Sequence, residues 1–198
     1  MELIVISKPS FFKGEAQLIN GLFDLGMQRF HLRKERSGKA AYRQLLAGIR
    51  PEFRVRIALH QFHELAADFD IQRFHFKEHE RLQGLHSVFE DKPSATLSTS
   101  THSIDHIPDL KSFKYTFLGP VFQSISKENY PGVIPGDFQL IRSADTKVIA
   151  LGGISAANIS QVQQMNFDGA AVLGALWNAP EQALQTFKKI KKACQTTG

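Results

Sequence analysis

The sequence predicts a compact (β/α)8 TIM barrel with one or more short or missing helices. Two observations carry that expectation. Short β-type runs alternate with helical stretches along the whole chain, and parallel strands need long crossovers, usually helices, to join them. Two of the runs also break abruptly into glycine, as strands do where a barrel presents its ligand site. They are Leu118-Gly119-Pro120-Val121-Phe122-Gln123-Ser124-Ile125-Ser126-Lys127 and, about thirty residues on, Ile149-Ala150-Leu151-Gly152-Gly153-Ile154. A length of 198 residues fits one domain over 1–198, able to bury roughly 70% of its unfolded surface. A doubly wound open sheet is the alternative. No G-x-G-x-x-G follows an early strand and no P-loop occurs, which counts against the nucleotide-binding folds.

In chain order the predicted strands are Leu3–Ser7, Arg29–Arg33, Val55–His60, Gln72–Phe76, Ala95–Ser98, Tyr115–Leu118, Val148–Leu151 and Ala170–Leu173. Between the first two, Gln17 to Phe23 places apolar residues at i, i+1, i+4 and i+5, and Gly26 is a plausible helix end. The same pattern recurs over Asn158–Met165 and Gln182–Phe187. The weakest connection follows strand four, where His79 to Glu90 shows no 3.6-residue period. The chain is short against a typical barrel of about 250 residues, so some helices must be abbreviated.

Composition is that of an ordinary globular protein, and the 16 phenylalanines predict a Phe-rich core. Net charge is +5. Part of it lies in Lys188-Lys189-Ile190-Lys191-Lys192, whose helical spacing makes a solvated face. No basic stripe with interleaved aromatics appears elsewhere, so no nucleic-acid partner is expected. A positive balance favours anionic substrates. The single cysteine, Cys194, excludes an intrachain disulfide framework. The N-terminal run Met1 to Ser7 lacks the features of a signal peptide and reads as a strand. No apolar run approaches the ~20 residues of a membrane helix. A cytoplasmic location without a membrane partner is expected.

Ligands of either architecture bind at the carboxyl ends of the strands. His31 and Arg33 share one face of strand two, and the apolar Phe30 and Leu32 share the other, so His31 and Arg33 are expected to face the barrel mouth. His60-Gln61 follows strand three, His75-Phe76-Lys77-Glu78-His79-Glu80 strand four, and Ser98 to Ser103, with Ser100 and His102, strand five. Histidines thus mark four successive strand ends. They are open to three readings: a polar lining, catalysis, or a transition-metal site, for which imidazole is suited. No tight H-x-H or helical H-x-x-x-H pair favours the last. A hard cation would want carboxylates, and Glu35 and Glu80 are the candidates. At the ends of strands six to eight, Gly152-Gly153 before a helix start and Leu173-Gly174 offer backbone N–H groups to a phosphate.

These residues resemble the thiamine phosphate synthases and the related thiazole tautomerases, over nearly the whole chain. Gly119 to Lys127 is similar to the family's G-P-[VI]-F-x-T-x-T-K, and Ala150 to Ile154, with Asn158, to A-I-G-G-I and its asparagine. Ser100-Thr101-His102-Ser103 is similar to S-[TV]-H-[ST]. More loosely, His31-Leu32-Arg33-Lys34-Glu35 stands at Q-L-R-x-K, His60-Gln61 at N-D, and His75 to Glu80 at H-L-G-Q-x-D. The resemblance implies a (β/α)8 barrel. It implies a transferase that joins a hydroxymethylpyrimidine diphosphate to a thiazole phosphate with release of pyrophosphate and use of Mg2+. By that resemblance Arg33, Ser100 and Lys127 meet the diphosphate. Ser124 and Ser126 hold the thiazole carboxylate, the Gly152, Gly153 and Gly174 amides its phosphate, and Glu80 the metal. His31, His60 and His75 are taken as substrate-binding.

The family's diphosphate lysine is Glu35 here, and Gln61 leaves one magnesium carboxylate where the family has two. Lys34 and Arg36 flank Glu35 as replacement cations. The tautomerase branch, with His102 as acid/base, is the alternative, as is a non-catalytic barrel that binds a phosphorylated ligand. The expected partners are small phosphorylated substrates, with a homodimer left open.

Overall fold

The structure, a computed structural model, describes residues 1–123, 134–135, 137–141 and 144–195. Eight parallel strands close into a barrel in sequence order. They are β1 (Glu2–Ile6), β2 (Arg29–Leu32), β3 (Ile57–Leu59), β4 (Arg73–Phe76), β5 (Thr96–Thr101), β6 (Tyr115–Leu118), β7 (Lys147–Leu151) and β8 (Gly169–Val172). Closure is made by β1 against β8, with Leu3 opposite Ala170 and Val5 opposite Val172. Every predicted strand is present, its ends shifted by a few residues at most. β5 is extended toward the mouth as far as Thr101.

The helices are α1 (Glu15–Asp24), α2 (Lys39–Gly48), α3 (Pro51–Arg54), α4 (Glu78–Leu82), α5 (Ile159–Gln164), α6 (Gly174–Trp177) and α7 (Ala183–Gln195). α1 ends at Gly26, whose φ of +88° needs a residue without Cβ. The abbreviation expected of so short a barrel falls where the period was missing. α4 has five residues, and the crossovers after β3 and β5 are 3-10 segments, His63–Phe69 and Ile104–Asp109.

Strand alternation sorts the side chains into two cores. Outside the barrel wall, Phe23, Phe30, Phe53, Phe74 and Phe76 pack with Leu32 and Leu46 beneath the helices. Phe23 stacks on Phe53 with 4.7 Å between ring centroids. Each such ring contributes about 2 kcal/mol of burial free energy. Inside the wall, Ile4, Ile6, Tyr115, Phe117, Ile149 and Ala171 form a second cluster. The Trp177 indole N–H ties α6 to the barrel by donating to the Ile6 carbonyl at 2.6 Å. No helix among the described residues is long and apolar enough to cross a membrane.

Candidate active site

At the carboxyl ends of β6 and β7 the two following turns press together. A Cβ on Gly119 would lie 2.1 Å from the Leu151 carbonyl oxygen, and one on Gly152 2.7 Å from Pro120. Gly153 has φ +65°, and a Cβ there would lie 2.6 Å from the Gln123 carbonyl oxygen. The glycines are therefore required first by backbone approach and left-handed geometry. Val121 N–H donates to Leu151 O at 2.8 Å, and Phe122 N–H to Gly152 O at 3.2 Å. Asn158 locks the turn: its Nδ2 donates to Gly153 O, and its Oδ1 accepts from Ser155 N–H, both at 2.8 Å. The N–H groups of Gly152 and Gly153 have no partner among the described residues, so they stand available to an anion at the mouth. Gly174 opens α6, half-buried, after β8. Ser124, Ser126 and Lys127 lie outside the described residues.

Across the mouth, the histidines of β2, β3 and β4 converge. His31, His60 and His75 are all buried, and they pack on one another below the rim and not along it. His31 Nδ1 lies 2.8 Å from His60 Nε2, and His31 Nε2 lies 2.7 Å from the Tyr115 hydroxyl. His75 sits between the Ser98 and Ser100 hydroxyls, each at 3.0 Å, and stacks on His60 with centroids 4.0 Å apart. Burial holds all three imidazoles neutral. It pushes His31 and His60 well below the usual histidine range and His75 down to about 3, with like-charge neighbours adding to each shift.

The charged residues beside this cluster are already engaged. Arg33 donates from Nη2 to Glu35 Oε1 at 3.0 Å on the half-exposed rim. That surface pair is worth under about 1 kcal/mol, so an incoming diphosphate can compete for the guanidinium. Lys34 is not the replacement cation that its place beside Glu35 suggests. It is fully buried on the other face of the chain, paired with Glu15 of α1. Its Nζ also donates to the carbonyls of Lys8 and Ser10. Burial pushes the Glu15 carboxyl up and the Lys34 ammonium down, and their mutual hydrogen bond opposes both shifts. Parity along the strand foretells this, because Lys34 falls on the side of Phe30 and Leu32. Arg36 is exposed, with φ +48°.

A magnesium ion held by protein carboxylates does not fit the described residues at this position. Gln61 is neutral, and its amide is consumed. Oε1 accepts from the Tyr42 hydroxyl and from Lys34 N–H at 3.1 Å, and Nε2 donates to Lys34 O. Glu80 Oε2 caps α4 by accepting from Lys77 N–H at 2.7 Å.

On β5, Ser100 points to His75. The exposed His102 holds the Gly119 carbonyl with Nδ1 at 2.8 Å. A carbonyl only accepts, so Nδ1 carries a proton, and in the neutral ring Nε2 presents the lone pair. His102 thereby joins the β5 end to the β6 turn. A cavity of about 870 Å³ opens at the opposite end of the barrel beside Arg29, Arg73, Lys111 and Lys114. Barrel chemistry sits at the carboxyl ends of the strands, so that cavity is not taken as the site.

Fold and site together define a (β/α)8 barrel whose β6–β7 end presents backbone amides unpaired among the described residues. A family model of thiamine monophosphate synthases matches residues 3–176, and the chain belongs to that family. The thiamine-phosphate synthase of Koribacter versatilis is 31% identical over 102 residues, which are 50% of this chain and 48% of that relative. That of Staphylococcus carnosus is 26% identical over 122 residues, 59% and 56% of the two chains. The chain thus matches about half the length of these curated relatives. Among solved structures, a thiamine phosphate pyrophosphorylase from Bacteroides thetaiotaomicron aligns over 98% of this chain and 97% of its own, with 26% identity and a TM-score of 0.76. One from Pyrococcus furiosus aligns over 98% and 95% with a TM-score of 0.79, and at 17% identity shows the shared fold.

Proposed function

We propose that the chain is a transferase of the thiamine-phosphate synthase type. It joins a hydroxymethylpyrimidine diphosphate to a thiazole phosphate and releases pyrophosphate. The observation that carries this reading is the β6–β7 end, where the family's motif is retained and the Gly152 and Gly153 N–H groups have no partner among the described residues, in a chain that matches the family over 3–176. In this reading the C–O bond to the diphosphate breaks, the thiazole nitrogen forms the new C–N bond to the pyrimidine carbon, and the thiazole carboxylate leaves as CO2. Charge stabilisation of the leaving group matters more than acid–base work. Arg33 exchanges Glu35 for the diphosphate, with Lys127 and Ser100 as its further partners. Ser124 and Ser126 bind the thiazole carboxylate. Gly152, Gly153 and Gly174 bind its phosphate. The reading carries a cytoplasmic enzyme with small phosphorylated substrates. A homodimer would appear as twice the chain mass in light scattering. Incubating the protein with both substrates tests the activity, and pyrophosphate release is expected.

A second reading is favoured by His102. Its Nδ1–H is held by Gly119 O, which leaves Nε2 as a base, and a histidine so fixed suits proton transfer on a bound thiazole phosphate. If the chain is a tautomerase, His102→Ala should slow thiazole isomerisation by about a hundredfold or more. An unchanged rate excludes it.

A further inference from the structure

The cluster inside the barrel offers a chemistry that the transferase reading does not use. Among the described residues, His31, His60 and His75 are the group of histidine, cysteine or carboxylate side chains close enough to share an ion. One ring nitrogen from each lies within 4.8 Å of the others. We propose that these three histidines form a binding site for one transition-metal cation of the zinc class, held in the interior of the barrel with a fourth coordination position left to water.

Two observations carry this. The first is an orphan atom. His60 Nδ1 is buried and has no hydrogen-bond partner among the described residues, and no choice of tautomers repairs that. If Tyr115 donates to His31, then His31 donates to His60 Nε2, and a bare N–H is left at His60 Nδ1. If the chain of donors runs the other way, a bare lone pair is left there. Buried ring nitrogens are rarely left unpaired, so this atom stands open to a ligand. The second is orientation. Tyr115 Oη holds one nitrogen of His31 and leaves the other facing His60; Ser98 and Ser100 hold both nitrogens of His75, so one of those two bonds gives way when an ion binds. A ligand imidazole then keeps an outer hydrogen bond on its far nitrogen.

Imidazole ligation selects zinc, copper, nickel or iron over magnesium. Three protein ligands with an open fourth position are the pattern of reactive and not of structural zinc. Nitrogens that share a zinc ion lie ~3.3 Å apart, given metal–nitrogen bonds of about 2.0–2.1 Å. His31 and His60 are already closer than that, and rotation of the rings opens that pair and draws in the third. The sequence shows the two positions that matter. Where the family's motifs carry Q and N, this chain has His31 and His60, so two substitutions complete a trio around His75.

The test uses the metal-free protein and zinc alone, without substrates. One zinc per chain should remain bound through gel filtration, and zinc should raise the unfolding temperature. His31→Gln and His60→Asn place family side chains at the two positions and should each weaken zinc binding at least tenfold. The His79→Ala/His106→Ala variant, altered only at exposed histidines, should bind as the parent does. Should the barrel variants fail to fold, cobalt-loaded parent protein decides. Visible absorption of a nitrogen-ligated site, with three histidines shifted in the NMR spectrum, is expected. No retained metal overturns the proposal, as does undiminished binding in both barrel variants, loss of binding in the surface variant, or fewer than three shifted histidines.

Discussion

Gly119, Gly152 and Gly153 sit where two backbones touch, and this ranks their tolerance to change. A methyl group on Gly119 meets the Leu151 carbonyl at 2.1 Å, and a backbone atom cannot step aside as a side chain can. Gly119→Ala is predicted to destabilise the fold by about 3 kcal/mol, measured by urea unfolding. A loss under 1 kcal/mol would mean that the β6 turn has room to shift. Gly153 combines φ +65° with a close neighbour. Gly153→Val should weaken inorganic phosphate or thiazole phosphate binding at least tenfold, which calorimetry reads directly. The motif at these positions was legible in the sequence, but its first cause was not. Glycine next to a phosphate and glycine at a backbone crossing look alike until the β6 and β7 turns are seen in contact.

Elements explain what parity alone could and could not show. Alternation along β2 placed Phe30 and Leu32 outside the barrel and His31 inside, as observed. Extended by two residues, the same alternation sends Lys34 outward to α1, away from the mouth. Its partner Glu15 begins a helix and carries no signal that a lysine 19 residues later will need it. The meeting of His31, His60 and His75 was also hidden, because it depends on the register between three strands. The Lys34–Glu15 pair should behave as a buried ion pair. Lys34→Met strands a carboxylate and is predicted to cost about 3–5 kcal/mol. Adding Glu15→Leu should recover part of that loss. Lys8 and Ser10 carbonyls still lack their donor, so recovery stays incomplete. Stability losses that simply add in the double variant would contradict the coupling.

The whole molecule inherits a pH response from its interior. His31, His60 and His75 are neutral when folded, with pKa values held below those of the unfolded chain. Below the ordinary histidine pKa of about 6.5, the unfolded state therefore binds protons that the native state refuses. Stability must fall as pH falls from about 6.5 toward 3, by up to about 2 kcal/mol per histidine between pH 7 and pH 5 in metal-free protein. His60→Asn should flatten this slope, and an unchanged slope would contradict the burial of a neutral imidazole. At this scale the barrel itself was the most legible feature. Eight short β-type runs, spaced by mostly helical crossovers, leave few other topologies, and the weak period after β4 foretold the five-residue α4.

The central claim is that this barrel, with the family's β6–β7 motif retained and the opposite side of the mouth rebuilt around histidines, releases pyrophosphate as proposed. The most direct measurement is a pyrophosphate assay at high enzyme concentration. It supplies the pyrimidine diphosphate and the thiazole phosphate carboxylate, with magnesium and zinc compared in parallel. The account predicts release that requires both substrates and falls at least tenfold in Arg33→Ala. No release with either metal, while thiazole phosphate still binds, would contradict it and leave the barrel a tautomerase or a binding protein.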